Sequence, residues 1–127
     1  MKRVFAAALL AGLPLAASAQ PDAPAAFFAG RQIAIHVGTP AGSPASLYAQ
    51  LVARHMSAHT PGAPAFVVRH MPGAGGLVAA NTAWANMPAD GTALVSTNSL
   101  IFVEPLLGVG GGQFEARKFT FIGGTHV

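Results

Sequence analysis

The spacing of apolar positions changes several times along the chain, and each change marks an element. Gln32 to Val37 places Ile33, Ile35 and Val37 at alternating positions, which predicts a strand. Gly38-Thr39-Pro40-Ala41-Gly42 is turn-forming. Ser43-Pro44 then reads as an N-cap followed by proline at the first helical position. Leu47, Leu51 and Val52 share one face of a helix expected over 44–58, with Tyr48 and His55 flanking that face and Thr60-Pro61-Gly62 ending it. A second strand is expected over 66–70, followed by the glycine-rich loop Met71–Gly76. A second helix follows over 77–86, with Val78, Trp84 and Ala85 available for packing. Pro88-Ala89-Asp90-Gly91 is a turn into a third strand over 92–96. Asn98 or Ser99 is placed to cap a short helix over 100–107, a flexible loop spans 108–112, and a fourth short strand is expected over 118–122.

The order β-α-β-α-β-α-β predicts an α/β protein with a parallel sheet and right-handed crossovers. Ligands of such open sheets sit beyond the carboxyl ends of the strands. The loops Gly38–Ser43, Met71–Gly76 and Thr97–Ser99 all emerge at that end and are expected to line one cleft.

The first 19 residues follow a different logic. Lys2 and Arg3 precede an apolar run from Val4 to Ala16, and Ala17-Ser18-Ala19 is a small-x-small site. The run is short of the ~20 residues that a spanning helix needs, so Met1–Ala19 reads as a cleavable signal peptide. No cysteine stands at the cleavage site, which excludes a lipoprotein anchor there. Gln20–Gly30 reads as a linker whose Phe27 and Phe28 dock on a domain spanning 31–127.

The leader also changes the charge picture. The sequence pI is 10.2, but two of the seven Lys and Arg leave with the leader, so five face four acidic residues. Arg31, Arg54, Arg69, Arg117 and Lys118 are scattered and form no stripe, which argues against nucleic acid as a partner. The chain has no cysteine, so its stability rests on an ordinary core.

The loop Pro72-Gly73-Ala74-Gly75-Gly76 has two readings: an anion cradle at a helix N-terminus, or a tight turn that needs glycine for geometry alone. It lacks the spacing of a nucleotide fingerprint. His55 and His59 lie four apart but have no third ligand in view, so no metal site is expected, and no cofactor. No nucleophile elbow or pair of carboxylates is present, and His70 is the one candidate acid–base group near the glycine loop. An enzyme is therefore not the expected class. Thr97, Asn98 and Ser99, with Thr39 and Ser43, offer a polar, uncharged set beside helix N-termini, which suits a small carboxylate.

The run from Val67 to Leu94, with Pro72 to Gly76, Ala79-Ala80-Asn81 and Pro88-Ala89-Asp90-Gly91, resembles the Bug-type substrate-binding proteins of tripartite tricarboxylate transporters. Ile33 to His55 resembles the first strand, loop and helix of that family, and Phe114 to Gly123 resembles its F-x-x-R-K-F-x-x-I-G stretch. The resemblance implies a three-layer parallel-sheet sandwich, the incomplete first lobe of a type II periplasmic binding fold. It implies a periplasmic receptor for a dicarboxylate, tricarboxylate, amino acid or aromatic acid, with the transporter's membrane subunits as partners. Main-chain amides and bridging waters at Thr39, Pro40, Ala41, Gly42 and Ser43 would grip one carboxylate, with Ser46, Gly75, Thr97, Asn98 and Ser99 completing the site. Two positions depart from the family pattern: Ala41-Gly42-Ser43 stands for P-G-G, and Ser46 and Gln50 stand for the usual Asp and Arg. Members of the family are much longer, so this chain is expected to be a fragment that folds or binds poorly alone. The alternatives are an exported α/β enzyme fragment that uses the glycine loop, and a truncated remnant that binds nothing.

Overall fold

The computed structural model describes residues 23–108 and 110–124. The signal-peptide reading lies outside the described residues. Strand β1 (Gln32–Val37) is central, and β2 (Ala65–His70) and β3 (Ala93–Ser96) pair with it on either side. Both pairings are parallel; Ile35 lies opposite Val68 on one side and Leu94 on the other. The class is therefore α/β, with an open, all-parallel sheet in the order β2-β1-β3 flanked by helices.

Strand β1 is covered on both faces, as a central parallel strand must be. Ile33, Ile35, His36 and Val37 are all buried. Each buried Ile or Val contributes about 1.5–3 kcal/mol through loss of apolar surface from water. On one face, Ile35 and Val37 meet Ala49 and Ala53 of helix α2 (Pro44–His59), with Phe66, Val68 and Leu94 packed alongside. Helix α3 (Leu77–Asn86) buries Ala79, Ala80 and Ala83.

Both helices thus turn their small residues inward. This corrects the expectation from spacing, which placed Leu47, Leu51 and Val52 of α2, and Val78, Trp84 and Ala85 of α3, on the packing faces. Leu47 and Leu51 are more than half exposed, and Val52, Val78 and Trp84 are also on the exposed side. Helix α2 carries two apolar stripes, one of Ala and Ser and one of larger side chains. The short loop from β1 sets which stripe faces the sheet, and periodicity alone has no means of choosing between them.

Two further expectations change. Within the stretch read as a linker, Ala23–Phe28 forms helix α1. It packs on the turn at Gly62, where a Cβ would lie 2.4 Å from the Ala25 carbonyl oxygen. The stretch 118–122 is not a strand: Ala116–Lys118 is a turn of 3-10 helix, and no strand follows among the described residues. Phe119 is instead drawn into an aromatic cluster, with ring centroids 5.2 Å from Phe102, 5.6 Å from Phe114 and 5.9 Å from Trp84. Phe102 belongs to the short helix α4 (Leu100–Val103), which continues as 3-10 helix over Glu104–Leu107. Together these cover the helix expected over 100–107.

The segment around Phe114 is tied down by one side chain. Asn81 of α3 donates from Nδ2 to the Gly111 carbonyl at 3.1 Å and accepts the Gln113 amide on Oδ1 at 2.8 Å. This two-point clamp sets Phe114 over Ala80 and Ile101, the second buried cluster of the protein. At the other end of the sheet, Asp90 shapes the entry to β3. Its Oδ1 accepts from the Thr92 amide at 3.0 Å and the Thr92 hydroxyl at 2.6 Å. These bonds hold the Asp90 carboxyl below its usual range.

Asn81→Ala removes both arms of the clamp. It is expected to cost about 1–2 kcal/mol in chemical denaturation and to speed exchange of the Gln113 amide well beyond that of β1 amides. Equal acceleration at β1 and Gln113 would show that the clamp has no local role.

Candidate functional site

The three loops at the carboxyl ends of the strands do converge, and they do so at glycine. Gly38 follows β1, Gly76 opens α3 and Thr97 follows β3. A Cβ on Gly38 would lie 2.7 Å from the Gly76 Cα and 3.1 Å from the Thr97 Oγ1. A Cβ on Gly76 would lie 2.0 Å from the same Oγ1, and Gly76 also has φ +103°, a backbone region that side chains disfavour. The junction is packed solid rather than hollow. Thr97 Oγ1 is buried there without a hydrogen-bond partner among the described residues. An unpaired buried hydroxyl is uncommon and costs free energy.

At the glycine-rich loop the carbonyls of Gly73 and Ala74 take the amides of Gly76, Leu77 and Val78, while the amides of Gly73, Ala74 and Gly75 make no hydrogen bond among the described residues. The Gly76 amide donates to the Gly73 carbonyl at 2.9 Å, the Val78 amide to the same carbonyl at 3.5 Å, and the Leu77 amide to Ala74. Ala74 to Gly76 is accordingly a turn of 3-10 helix, with Gly75 exposed at φ +66°. Of its two readings, the geometric requirement for glycine is the one met directly, at Gly73, Gly75 and Gly76.

The first loop leads into the longer helix α2. Ser43 caps α2 by accepting the Ser46 amide on Oγ at 3.2 Å, and Pro44 follows in the first turn. Thr39 Oγ1 lies 2.7 Å from the same Oγ. Pro40, Ala41 and Gly42 are exposed, and the one main-chain bond closing this turn runs from the Ser43 amide to the Pro40 carbonyl at 3.3 Å. The amides of Ala41, Gly42 and Ala45 make no hydrogen bond among the described residues. They stand at the start of a 16-residue helix, where the helix dipole favours negative charge.

Ser46 is fully buried beneath this loop. Its Oγ accepts from Gln50 Nε2 at 3.2 Å and lies 3.5 Å from His70 Nε2. On the other side of the ring, His70 Nδ1–H donates to the Thr39 carbonyl at 3.2 Å, since a carbonyl only accepts. His70 at the end of β2 therefore braces the first loop from below, linking Thr39, Ser46 and Gln50. The sequence offers His70 only as a candidate acid–base group near the glycine loop. The parallel register that sets Val37 opposite His70 is what brings it under the loop.

The third loop contributes less than expected. Asn98 and Ser99 are exposed. Asn98 Oδ1 accepts the Leu100 amide at 3.0 Å and so caps the helix, whereas Ser99 already has helical angles and makes no side-chain cap. No hydrogen bond joins Asn98 or Ser99 to the Thr39–Ser46 group among the described residues. Thr97 alone reaches the junction of the loops. No group of three or more potential metal ligands occurs among the described residues, and none of their helices is long and apolar enough to cross a membrane. No protein-family model, curated protein or solved structure matches the chain.

His36 is the titratable group most affected by the fold. It is buried in β1, and its Nδ1–H donates to the Met71 thioether at 3.3 Å. Burial, and then the charge of Arg69, hold its pKa below the ordinary 6.5. The fold thus favours the neutral ring. The associated stability is complete above pH 6.5 and is lost as pH falls from there through the lowered folded-state value. Urea denaturation at about pH 7.5 and about pH 5 should therefore show a larger loss for the wild type than for His36→Leu. Equal losses in both proteins would exclude His36 as a source of acid sensitivity.

Proposed function

We propose that this chain is the carboxylate-gripping module of an exported solute receptor of the Bug type, serving a tripartite tricarboxylate-type transporter. The observation that carries this reading is the unspent donor set of the first loop: the amides of Ala41, Gly42 and Ala45 at the start of α2, beside the hydroxyls of Thr39 and Ser43. Backbone donors and a helix dipole bind a carboxylate without a lysine or arginine. The proposed ligands are small carboxylates, namely a dicarboxylate, tricarboxylate, amino acid or aromatic acid, and the proposed partners are the membrane subunits of the transporter. The compartment is proposed to be the periplasm, on the strength of the N-terminal sequence.

Within this reading Ser46 and Gln50 shape the loop rather than touch the ligand. Ser46 has no exposed surface, and its hydroxyl is engaged with Gln50 and His70. An Asp at position 46 would place a negative charge beneath the loop, so its replacement by Ser leaves the donor set free to take an anion.

Isothermal titration with succinate, citrate, glutamate and benzoate tests the proposal, with 1,4-butanediol as the uncharged control. At least one carboxylate is expected to bind and the diol is not. Ser43→Ala should weaken binding about tenfold through loss of one hydroxyl donor and the cap that orders the loop. Thr97→Val should leave stability unchanged or raised, because it removes an unpaired buried hydroxyl. Flat titrations for all four acids, with the chain shown to be folded by circular dichroism, would overturn the reading.

A further inference from the structure

His70 touches the first loop from beneath through both ring nitrogens. Nδ1–H donates to the Thr39 carbonyl at 3.2 Å, and Nε2 lies 3.5 Å from Ser46 Oγ. The same Thr39 offers its hydroxyl to the donor set above, 2.7 Å from Ser43 Oγ. One residue therefore separates the ring from an anion held by that set.

The network suits either charge state of the ring without rearranging. A hydroxyl has one hydrogen to donate and two positions at which to accept. With a neutral ring, the Ser46 hydroxyl donates to the bare Nε2 while its oxygen accepts from Gln50 Nε2 at 3.2 Å. With a proton on Nε2, the ring donates to that oxygen instead. The Thr39 carbonyl keeps its bond from Nδ1 in both cases.

What surrounds the ring is short of negative charge. No Asp or Glu occurs from Ala23 to Ala89, a span that covers β1, β2, α2, α3 and the loops between them. The titratable groups there are His36 on β1, Arg69 on β2, and Tyr48, Arg54, His55 and His59 on α2. Arg69 precedes His70 and points to the other face of the sheet, where its charge acts on His36. The four on α2 are exposed, and none of them bonds to His70 among the described residues. Arg31, beyond the far end of β1, pairs with Asp90. The first loop, the glycine-rich loop and α3 carry no titratable side chain.

A carboxylate seated on the first loop would thus bring the counter-ion that this histidine lacks. Histidine is the side chain whose ordinary titration falls between pH 5 and 8. Two unit charges roughly 7 Å apart attract enough to change an equilibrium about threefold even at the dielectric of bulk water. Such coupling is reciprocal: a ligand that favours the protonated ring is itself held more tightly by it. We infer that a carboxylate gripped by the first loop binds together with a proton on His70, so that this histidine sets the pH range in which the site fills. The inference rests on the carboxylate reading above and adds its regulation. Binding is tightest on the acid side of the ring's titration and weakens as pH rises through it.

Calorimetric titration of the chain recovered from an exporting bacterial host tests this with glutamate and benzoate, whose carboxylates stay ionised from pH 6 to pH 8. Succinate and citrate serve where neither binds, with His70→Asn correcting for the proton that the ligand itself takes up. The heat at pH 6.5 should differ between MES and imidazole buffers, because the buffer supplies the proton. Affinity should be about threefold higher at pH 6 than at pH 8. His70→Asn keeps a donor for the Thr39 carbonyl but removes the titrating ring, and should lose both effects. His55→Asn, at an exposed position of α2, should keep both. At pH 7, adding the ligand to the wild type should move the His70 ring resonances toward their protonated positions and leave those of His55 and His59 in place. Binding with equal heats in both buffers, a pH dependence that survives in folded His70→Asn, or unmoved His70 resonances would each overturn this inference and leave the carboxylate reading standing. Failure of all four acids to bind the folded chain would overturn both.

Discussion

Gly38, Gly76 and Thr97 meet at a close approach, and much else depends on it. The backbone of the first loop touches the start of α3 at a separation that leaves no room for a Cβ on either side. That contact sets how near α3 lies to β1, and with it how the second and third loops reach the first. Glycine is required there for two separate reasons, the space and, at Gly76, the left-handed backbone. The loop that looks like an anion cradle is therefore first a spacer. Its Gly73 and Ala74 carbonyls take the amides of Gly76, Leu77 and Val78 and so fix the start of α3.

Close approach also governs the helices. Ala49 and Ala53 of α2, and Ala79, Ala80 and Ala83 of α3, form the inward faces. Small residues let a helix lie near a sheet and bring the loops at its N-terminus within reach of one another. The consequence falls on the outside, where the larger side chains are left in water. On α2, Leu47 and Leu51 stand more than half exposed; on the α3 side, Trp84 contacts Phe119 of the aromatic cluster and Val78 packs over Gly73. The same choice of face thus places the donor set at one end of α2 and larger apolar side chains along its outer side.

Much of the architecture was legible from the residues. The alternation at Ile33, Ile35 and Val37, the Ser43-Pro44 start and the Pro88–Gly91 turn each carry a local physical signal, and each element they announce is present. Asn98 as a cap was one of two options that spacing left open. The stretch 118–122 is strand-like in its aromatic and β-branched residues, whereas Phe119 packs among three aromatic neighbours contributed by distant parts of the chain. The roles of His70 and Asn81 could not be read at all. Each acts across about thirty positions of chain, on Thr39 and on Gly111 and Gln113, and nothing local announces such a partner.

By itself, the sequence determined the class of the fold, the order of its elements from β1 to the short helix at Leu100, and the position of the loop that caps α2. These follow from signals within a few residues, where backbone sterics and capping act. Only the tertiary structure decided which stripe of α2 faces the sheet, and that His70 braces Thr39 while Thr97 is buried unpaired. Those outcomes depend on competition between surfaces far apart in the chain, and parallel pairing at the middle strand settles it. Pairing Val37 with His70 on one side and with Ser96 on the other brings the three loops to one edge of the sheet.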